Sequence, residues 1–135
     1  MPQHNLKVTD SIEIKAPLEE IFRYFTDAEK IAKWWSKAAI CQPKQNGLLI
    51  FKWENGTQLE SHFKVFTPEK LAFPFGPEFV EVTFKTVKDK TFISVTHSDI
   101  IIKDTDFSLL IHITQSWSFL LINLKMVIEH NIDLR

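Results

Sequence analysis

From Leu110 onward the apolar positions fall three and four residues apart: Leu110, Ile113, Trp117, Leu120, Leu121, Leu124, Val127 and Ile128. That spacing marks one face of a helix and predicts a single long helix from about Phe107 to His130. The start of the chain has a different period. Leu6, Val8, Ile12 and Ile14 alternate with Lys7, Thr9, Ser11, Glu13 and Lys15, so Leu6 to Ala16 reads as a half-buried strand. Asp10 falls on the apolar parity. Either the strand is bulged there or a carboxylate points inward.

Two short helices should follow. Pro17 suits a first helical turn, where its missing N–H costs nothing, and Glu19 and Glu20 suit the positive end of the helix dipole. Leu18, Ile21, Phe22 and Phe25 form the buried side of this helix. Thr26-Asp27-Ala28-Glu29 has the pattern of a capping box and opens a second helix carrying Ile31, Ala32, Trp34 and Trp35. Ser36 to Gly47 reads as a loop, with Pro43 and Asn46-Gly47 as turn residues.

The middle of the chain is a series of strands. Leu48 to Trp53 and Thr57 to Val65 flank Asn55-Gly56, a strong hairpin signal. After a turn at Thr67-Pro68-Glu69-Lys70, Leu71 to Phe75 is a strand ended by Pro74 and Gly76-Pro77. Phe79 to Val87 and Thr91 to Ser98 make a hairpin around Lys88-Asp89-Lys90, and Asp99 to Asp106 is either a short strand or a loop. The order is strand, two helices, five strands, long helix, with hairpin spacing that implies an antiparallel sheet. A long amphipathic helix after such strands must bury its stripe against their sheet. The fold class is therefore α+β, with a sheet gripping the helix and either a packed core or a cavity between them.

Strand parity selects the inward face. Leu49, Phe51 and Trp53 oppose Lys52, and Leu59, Ser61, Phe63 and Val65 oppose Gln58, Glu60, His62 and Lys64. Leu71, Phe73 and Phe75 face in by the same rule, as do Val80, Val82 and Phe84. Ile93 and Val95 share parity with His97. The helix supplies Trp117, Leu121 and Leu124. An apolar pocket with a few placed polar groups is the usual small-molecule site. The ligand-binding candidates are Trp35, Phe51, Trp53, Phe63, Phe73, Phe75, Phe84, His97, Trp117 and Leu121. His97 either bonds a ligand, is a satisfied interior histidine, or sits at an exposed strand end. Of Trp34 and Trp35, one is expected to seal the core and the other to stand at the cavity rim.

Composition sharpens this picture. At 135 residues, with no repeat, low-complexity segment or linker, the chain reads as one domain over residues 1–135 that buries a core without metal or disulfide. Twelve Phe, four Trp and one Tyr against three Gly leave a choice between a bulky core and an aromatic-lined pocket. The 16 basic and 17 acidic side chains argue against a nucleic-acid surface, which needs clustered positive charge. The lone Cys41 cannot form an internal disulfide and fits a reducing cytoplasm. The polar start MPQHNLKVTD does not resemble a signal peptide, and the apolar window around Phe119 to Ile122 is too short to span a bilayer. A soluble cytoplasmic protein without membrane insertion is expected.

Catalytic signatures are sparse. There is no cluster at metal-ligand spacing, no glycine-rich phosphate loop and no Gly-x-Ser-x-Gly elbow, so no metal or cofactor is expected. A pairing of Cys41 with a histidine, or of Asp10 with His97 as acid and base, would need tertiary structure to assemble it.

The order of elements and several residues resemble the START-like helix-grip superfamily (SRPBCC, Bet v 1-like), and within it the activator of heat-shock-protein-90 ATPase homologue family. The matching pieces are Ile12-Glu13-Ile14-Lys15-Ala16-Pro17 leading into Ile21-Phe22; Trp34-Trp35; Pro68-Glu69-Lys70-Leu71; Val80-Glu81-Val82-Thr83-Phe84; Thr91-Phe92-Ile93-Ser94-Val95-Thr96-His97; and Trp117 followed by Asn123-Leu124-Lys125 and Ile128-Glu129-His130. Ser116 stands where that family commonly has glycine before the tryptophan, and Gly47 stands alone where a Gly-Gly pair is common. The resemblance implies a curved antiparallel sheet of six to seven strands around the C-terminal helix, with a hydrophobic cavity between them.

Three functions follow as expectations. The first is binding of a small hydrophobic or lipid-like ligand in that cavity. The second, implied by the resemblance alone, is regulation of a chaperone partner's ATPase. The third is a cyclase or hydrolase using His97 or another cavity polar group, placed last because no titratable pair is fixed by the sequence. Phe119, Ile122 and Met126 lie off the main helix stripe. They either pack under the first strand and short helices or form a homodimer surface.

Overall fold

The alternation at the start of the chain becomes β1 (Gln3–Ile14), and the long apolar stripe becomes α3 (Ser108–His130). The two pack against each other, with Leu6, Val8 and Ile12 of β1 against the core. The computed structural model describes residues 3–135, so Met1 and Pro2 of the polar N-terminal stretch lie outside the described residues. Asp10 keeps the inward parity: its Oδ2 accepts from Ser118 Oγ on α3 at 3.2 Å. The bulge lies elsewhere, at Lys7, where the register shifts between Leu6 and Val8 opposite Ser98 and Asp99. Asp99 takes up the extra residue with φ of 59°.

Pro17 stands as the N-cap of α1 (Leu18–Thr26), one position earlier than expected. The cap of α2 (Ala28–Ile31) is Asp27, whose Oδ1 accepts from Glu29 N at 3.0 Å and Lys30 N at 3.4 Å. The expected capping box headed by Thr26 is not formed, because the Thr26 hydroxyl instead donates to Phe22 O at 2.9 Å and closes α1. Helix α2 ends before the tryptophans, and Trp34 and Trp35 sit in the turn that follows, both N–H groups on Ile31 O.

Eight strands form two antiparallel sheets. β5 (Val65–Thr67), β6 (Lys70–Phe75), β7 (Glu78–Val87) and β8 (Lys90–Lys103) join β1 in the order β1-β8-β7-β6-β5. β2 (Ala38–Cys41), β3 (Leu48–Lys52) and β4 (Gln58–His62) make the second sheet in that order. β2 occupies part of the segment expected as a loop. Its Ala38-Ala39-Ile40-Cys41 is too short for a clear period and gains its pairing from β3. The segment after Asp99 is strand, a continuation of β8 along β1 to Lys103. The chain leaves the small sheet at Phe63, whose N–H donates to Gly47 O at 3.0 Å, and joins the large one at Lys64, whose N–H donates to Ala72 O at 2.8 Å. Gly47 is required at this corner: a Cβ there would meet Gln42 O at 2.0 Å.

The α+β helix-grip arrangement stands as the sequence implied. Both sheets and α1 enclose a core in which Ile14, Ile21, Trp34, Phe51, Phe63, Leu71 and Phe73 are almost wholly buried. The C-terminal end of α3 is pinned to β1. Lys125 Nζ donates to Glu13 O at 2.6 Å and pairs with Glu129 at 2.7 Å, while Glu129 Oε2 accepts Lys15 N at 2.9 Å. The Lys125 ammonium holds the Glu129 carboxyl below its usual range, helped by the Lys15 N–H. Asn131, with φ of 56°, then ends the helix with its N–H on Val127 O. Among the described residues no helix is long and apolar enough to cross a membrane.

The chain beyond Asn131 folds back along α3. Asn123, on α3 and fully buried, donates from Nδ2 to Trp34 O and to Asp133 Oδ1, both at 3.1 Å, and accepts Leu134 N on Oδ1 at 2.6 Å. Removing this amide leaves a buried carbonyl and a partly buried N–H unpaired, a loss of about 2–3 kcal/mol. Asn123→Ala is therefore expected to lower the midpoint of thermal unfolding by roughly 6–12 °C, whereas Ser118→Ala, which removes only an exposed contact, changes it by less than about 2 °C. Thermal denaturation followed by circular dichroism measures both; equal midpoints would remove Asn123 from the role assigned to it.

Candidate functional site

The turn after α2 carries both tryptophans into the interior, their rings 5.1 Å apart. Trp34 is completely buried and donates its Nε1–H to Tyr24 O at 2.8 Å. It is the ring that seals the core. Trp35, also buried, reaches toward the sheet and borders the cleft, with its ring 4.4 Å from Phe51, 5.3 Å from Trp117 and stacked at 6.1 Å on Phe75. Aromatic contacts continue through the interior: Phe51 meets Phe73 and Trp53, Phe63 meets Phe73, and Phe84 meets Phe25.

These rings fill the deep space between sheet and helix. Along the N-terminal half of α3 a cleft of about 440 Å³ remains open, within the size range of small-molecule sites; a second, more polar one adjoins it at Trp35, Trp53 and Arg135. Of the ten sequence-predicted site residues, Trp35, Trp53, Phe75, His97 and Trp117 line it. Phe51, Phe63, Phe73, Phe84 and Leu121 do not; they lie buried behind it as core. Parity named the inward face of each strand correctly but carries no information on depth along that face.

Several lining residues were absent from the sequence-derived set. Helix α3 contributes Leu109, His112, Ile113, Ser116, Phe119 and Leu120; the start of β7 contributes Glu78; and the tail contributes Arg135. Ile113 and Leu120 belong to the helix stripe and were legible there. Glu78 follows a Gly-Pro turn, where an acidic residue reads as solvated.

The polar corner of the cleft is a chain of three side chains. Trp117 Nε1–H donates to His97 Nδ1 at 2.9 Å, and His97 Nε2 lies 3.0 Å from Glu78 Oε1. An indole nitrogen can only donate, so Nδ1 must accept and carry no proton. The proton of a neutral imidazole then sits on Nε2 and donates to Glu78. His97, 3% exposed, is an interior histidine with both nitrogens satisfied. Its partners are Trp117 and Glu78; the hydrogen bonds of Asp10 go to Ser11 and Ser118, so the acid–base pair of Asp10 and His97 is not assembled.

Arg135 brings a cation to the other side of the cleft, already compensated. Its guanidinium binds Asp133 through Nε and Nη2 at 2.9–3.2 Å and donates to Ser36 O and Ala32 O at 2.9 and 2.8 Å. The Arg135 contact pulls the Asp133 carboxyl down to about 2. Cys41 is a poor nucleophile: burial, with Asp27 adding to it, pushes its thiol up to about 12. Among the described residues no group of three or more His, Cys, Asp or Glu could hold a metal ion. The arrangement can enclose an apolar body against aromatic faces and offer it one carboxylate. It leaves neither nitrogen of His97 free to take a proton from a substrate; His112, the other imidazole on the cleft, lies exposed on α3.

Comparison with solved structures places the fold. A Staphylococcus saprophyticus protein solved by X-ray crystallography superposes with a TM-score of 0.85 at 22% identity, covering 96% of each chain. The Aha1 dimer from Colwellia psychrerythraea, solved in solution, gives a TM-score of 0.79 at 22% identity over 93% of this chain and 97% of that one. A Mesorhizobium loti protein gives 0.81 at 15% identity over 94% and 99%. No curated protein matches the chain. The family model described as Activator of Hsp90 ATPase homolog 1-like protein matches residues 15–129, from the end of β1 to the last turn of α3. The chain belongs to the family of Activator of Hsp90 ATPase homolog 1-like proteins.

Proposed function

We propose that the protein binds a small apolar molecule in the cleft between α3 and the sheet. The observation that carries this reading is the cleft itself: about 440 Å³, walled by Trp35, Trp53, Phe75 and Trp117, with a few polar side chains among them. Apolar walls supply the driving force, and a few placed polar groups orient the occupant. The His97–Trp117 bond supports a binding role over a catalytic one, because it occupies the nitrogen a general base would use.

Ser116 lines the cleft from α3 and is only half-buried, so a large side chain there fills the space without opening a hole in the core. The neutral fluorescent probe N-phenyl-1-naphthylamine is expected to bind the native protein saturably, and Ser116→Trp to weaken that binding at least tenfold while the far-ultraviolet circular dichroism is unchanged. Native mass spectrometry of the purified protein gives an independent reading of any retained ligand. Absence of saturable probe binding, or equal binding to Ser116→Trp, rejects the cleft as the site.

A second reading, that the protein forms a homodimer through the outer face of α3, has its own support. Ile111, Phe119 and Ile122 are 52%, 43% and 51% exposed along that helix, and exposed apolar side chains of this size can mark an interface. One fold neighbour is described as a dimer. Sedimentation equilibrium is expected to give twice the chain mass, and Ile122→Lys to return it to the monomer. A native monomer at tens of micromolar removes this reading. The family description also supports regulation of a heat-shock-protein-90 ATPase. Stimulation of the host chaperone's ATPase by the purified protein is the expected outcome of that reading, and an unchanged rate rejects it.

A further inference from the structure

The charge balance of the cleft goes further than its apolar walls. The Trp117 N–H makes Nδ1 of His97 the acceptor, so the imidazole donates from Nε2 to Glu78 Oε1. His97 in this way orients the Glu78 carboxylate. Glu78 has no Lys or Arg partner among the described residues; its one ion-pair contact is with His97. Of the other basic side chains on the cleft, Arg135 is already held by Asp133 and two backbone carbonyls, and His112 lies exposed on α3. A carboxylate 16% exposed at its side chain therefore stands uncompensated at the edge of an aromatic wall.

We propose that the cleft selects an organic ammonium, a single short apolar body ending in an alkylated amine. The inference rests on the reading of the cleft as a small-molecule site. Aromatic faces attract cations through their ring quadrupoles, and quaternary ammonium groups are bound in this way by aromatic cages. The rings of Trp35, Trp53 and Phe75 line the same space as Glu78, so both attractions can act on one head group. An alkylated ammonium is also less strongly hydrated than a bare one and gives up less on entering a partly closed site. An anionic amphiphile would meet Glu78 with like charge. The cleft volume of about 440 Å³ is enough for one short body.

A series of straight-chain ligands with tails of seven or eight carbons tests this on the full chain at low ionic strength, below their micelle concentrations. Octyltrimethylammonium, 1-octanol and octanoate differ chiefly in the head. Binding is read by quenching of tryptophan fluorescence and by isothermal titration calorimetry. The expected order is ammonium over alcohol over carboxylate, with at least a tenfold gap between the first and the last. In Glu78→Gln, whose amide oxygen can still accept from His97, the gap is expected to shrink to within about threefold. Equal binding of the three heads, or a preference for octanoate, overturns the inference while the apolar site stands. Binding of none of them removes both the inference and the reading beneath it. A gap that persists undiminished in Glu78→Gln overturns the role of this carboxylate. Should Glu78→Gln fail to fold, the head-group order on the native protein decides alone.

Discussion

The carboxamide of Asn123, itself fully buried, lies where three parts of the chain meet. It donates to Trp34 O in the turn after α2, donates to Asp133 in the returning tail and accepts Leu134 N. A buried amide has one geometry in which all its bonds are made. The helix therefore cannot slide or rotate against the turn without leaving a polar group unpaired. Because the turn carries Trp34 into the core and Trp35 into the cleft wall, the same amide sets the distance between Trp35 and Trp117. Hydrophobic burial brings α3 onto the sheet, but that attraction has no direction. Asn123 at one point, Lys125 and Glu129 at the end of β1, and Ser118 on Asp10 supply the direction.

This division of labour explains what the sequence could and could not disclose. Period carries the elements: alternation gave β1 and the hairpins, and three-four spacing gave α3 to within a residue of its ends. β2 escaped because four residues between turn signals have no period to read, and its existence depends on β3. The helix-grip arrangement was legible from element order and from the resemblance. The matching residues Asn123, Lys125 and Glu129 turn out to be those that fasten α3, which is a physical reason for such a pattern to mark a fold. Their roles were not legible, since each bond joins positions far apart in the chain.

The cleft was half legible for a related reason. Parity says which side of a sheet a residue faces and nothing of how far along the face the core extends. Phe51, Phe63, Phe73 and Phe84 face inward as expected and are sealed by other rings; Trp53 and Phe75 face inward where the packing stops. Glu78 offered no signal, because its carboxylate acquires meaning only through His97, 19 residues away. His97 itself was left with several roles open, and the donor-only chemistry of the Trp117 indole decides among them.

The packing stops at that end because the sheet splits there. In β6, Ala72 turns its backbone toward the β5 side, accepting from Lys64 N, and Pro74 turns the same way two residues on. Proline has no N–H to give to a ladder. The β5–β6 pairing accordingly runs from Lys70 to Ala72 and no further. Beyond it the Pro74 carbonyl is met by the Ser61 hydroxyl of β4, one side-chain bond in place of a continued ladder. Residues on the far side of this break, Phe75 and Glu78 around the Gly76-Pro77 turn, remain paired with each other but not with a strand of the small sheet. The two sheets can diverge there, and the rings of Trp53 and Phe75 face one another edge to face across the divergence at 6.3 Å. A proline that the sequence marks only as a strand terminator thus stands inside β6, just past the last β5–β6 pair, at the end where the aromatic wall and the Glu78 carboxylate border the cleft.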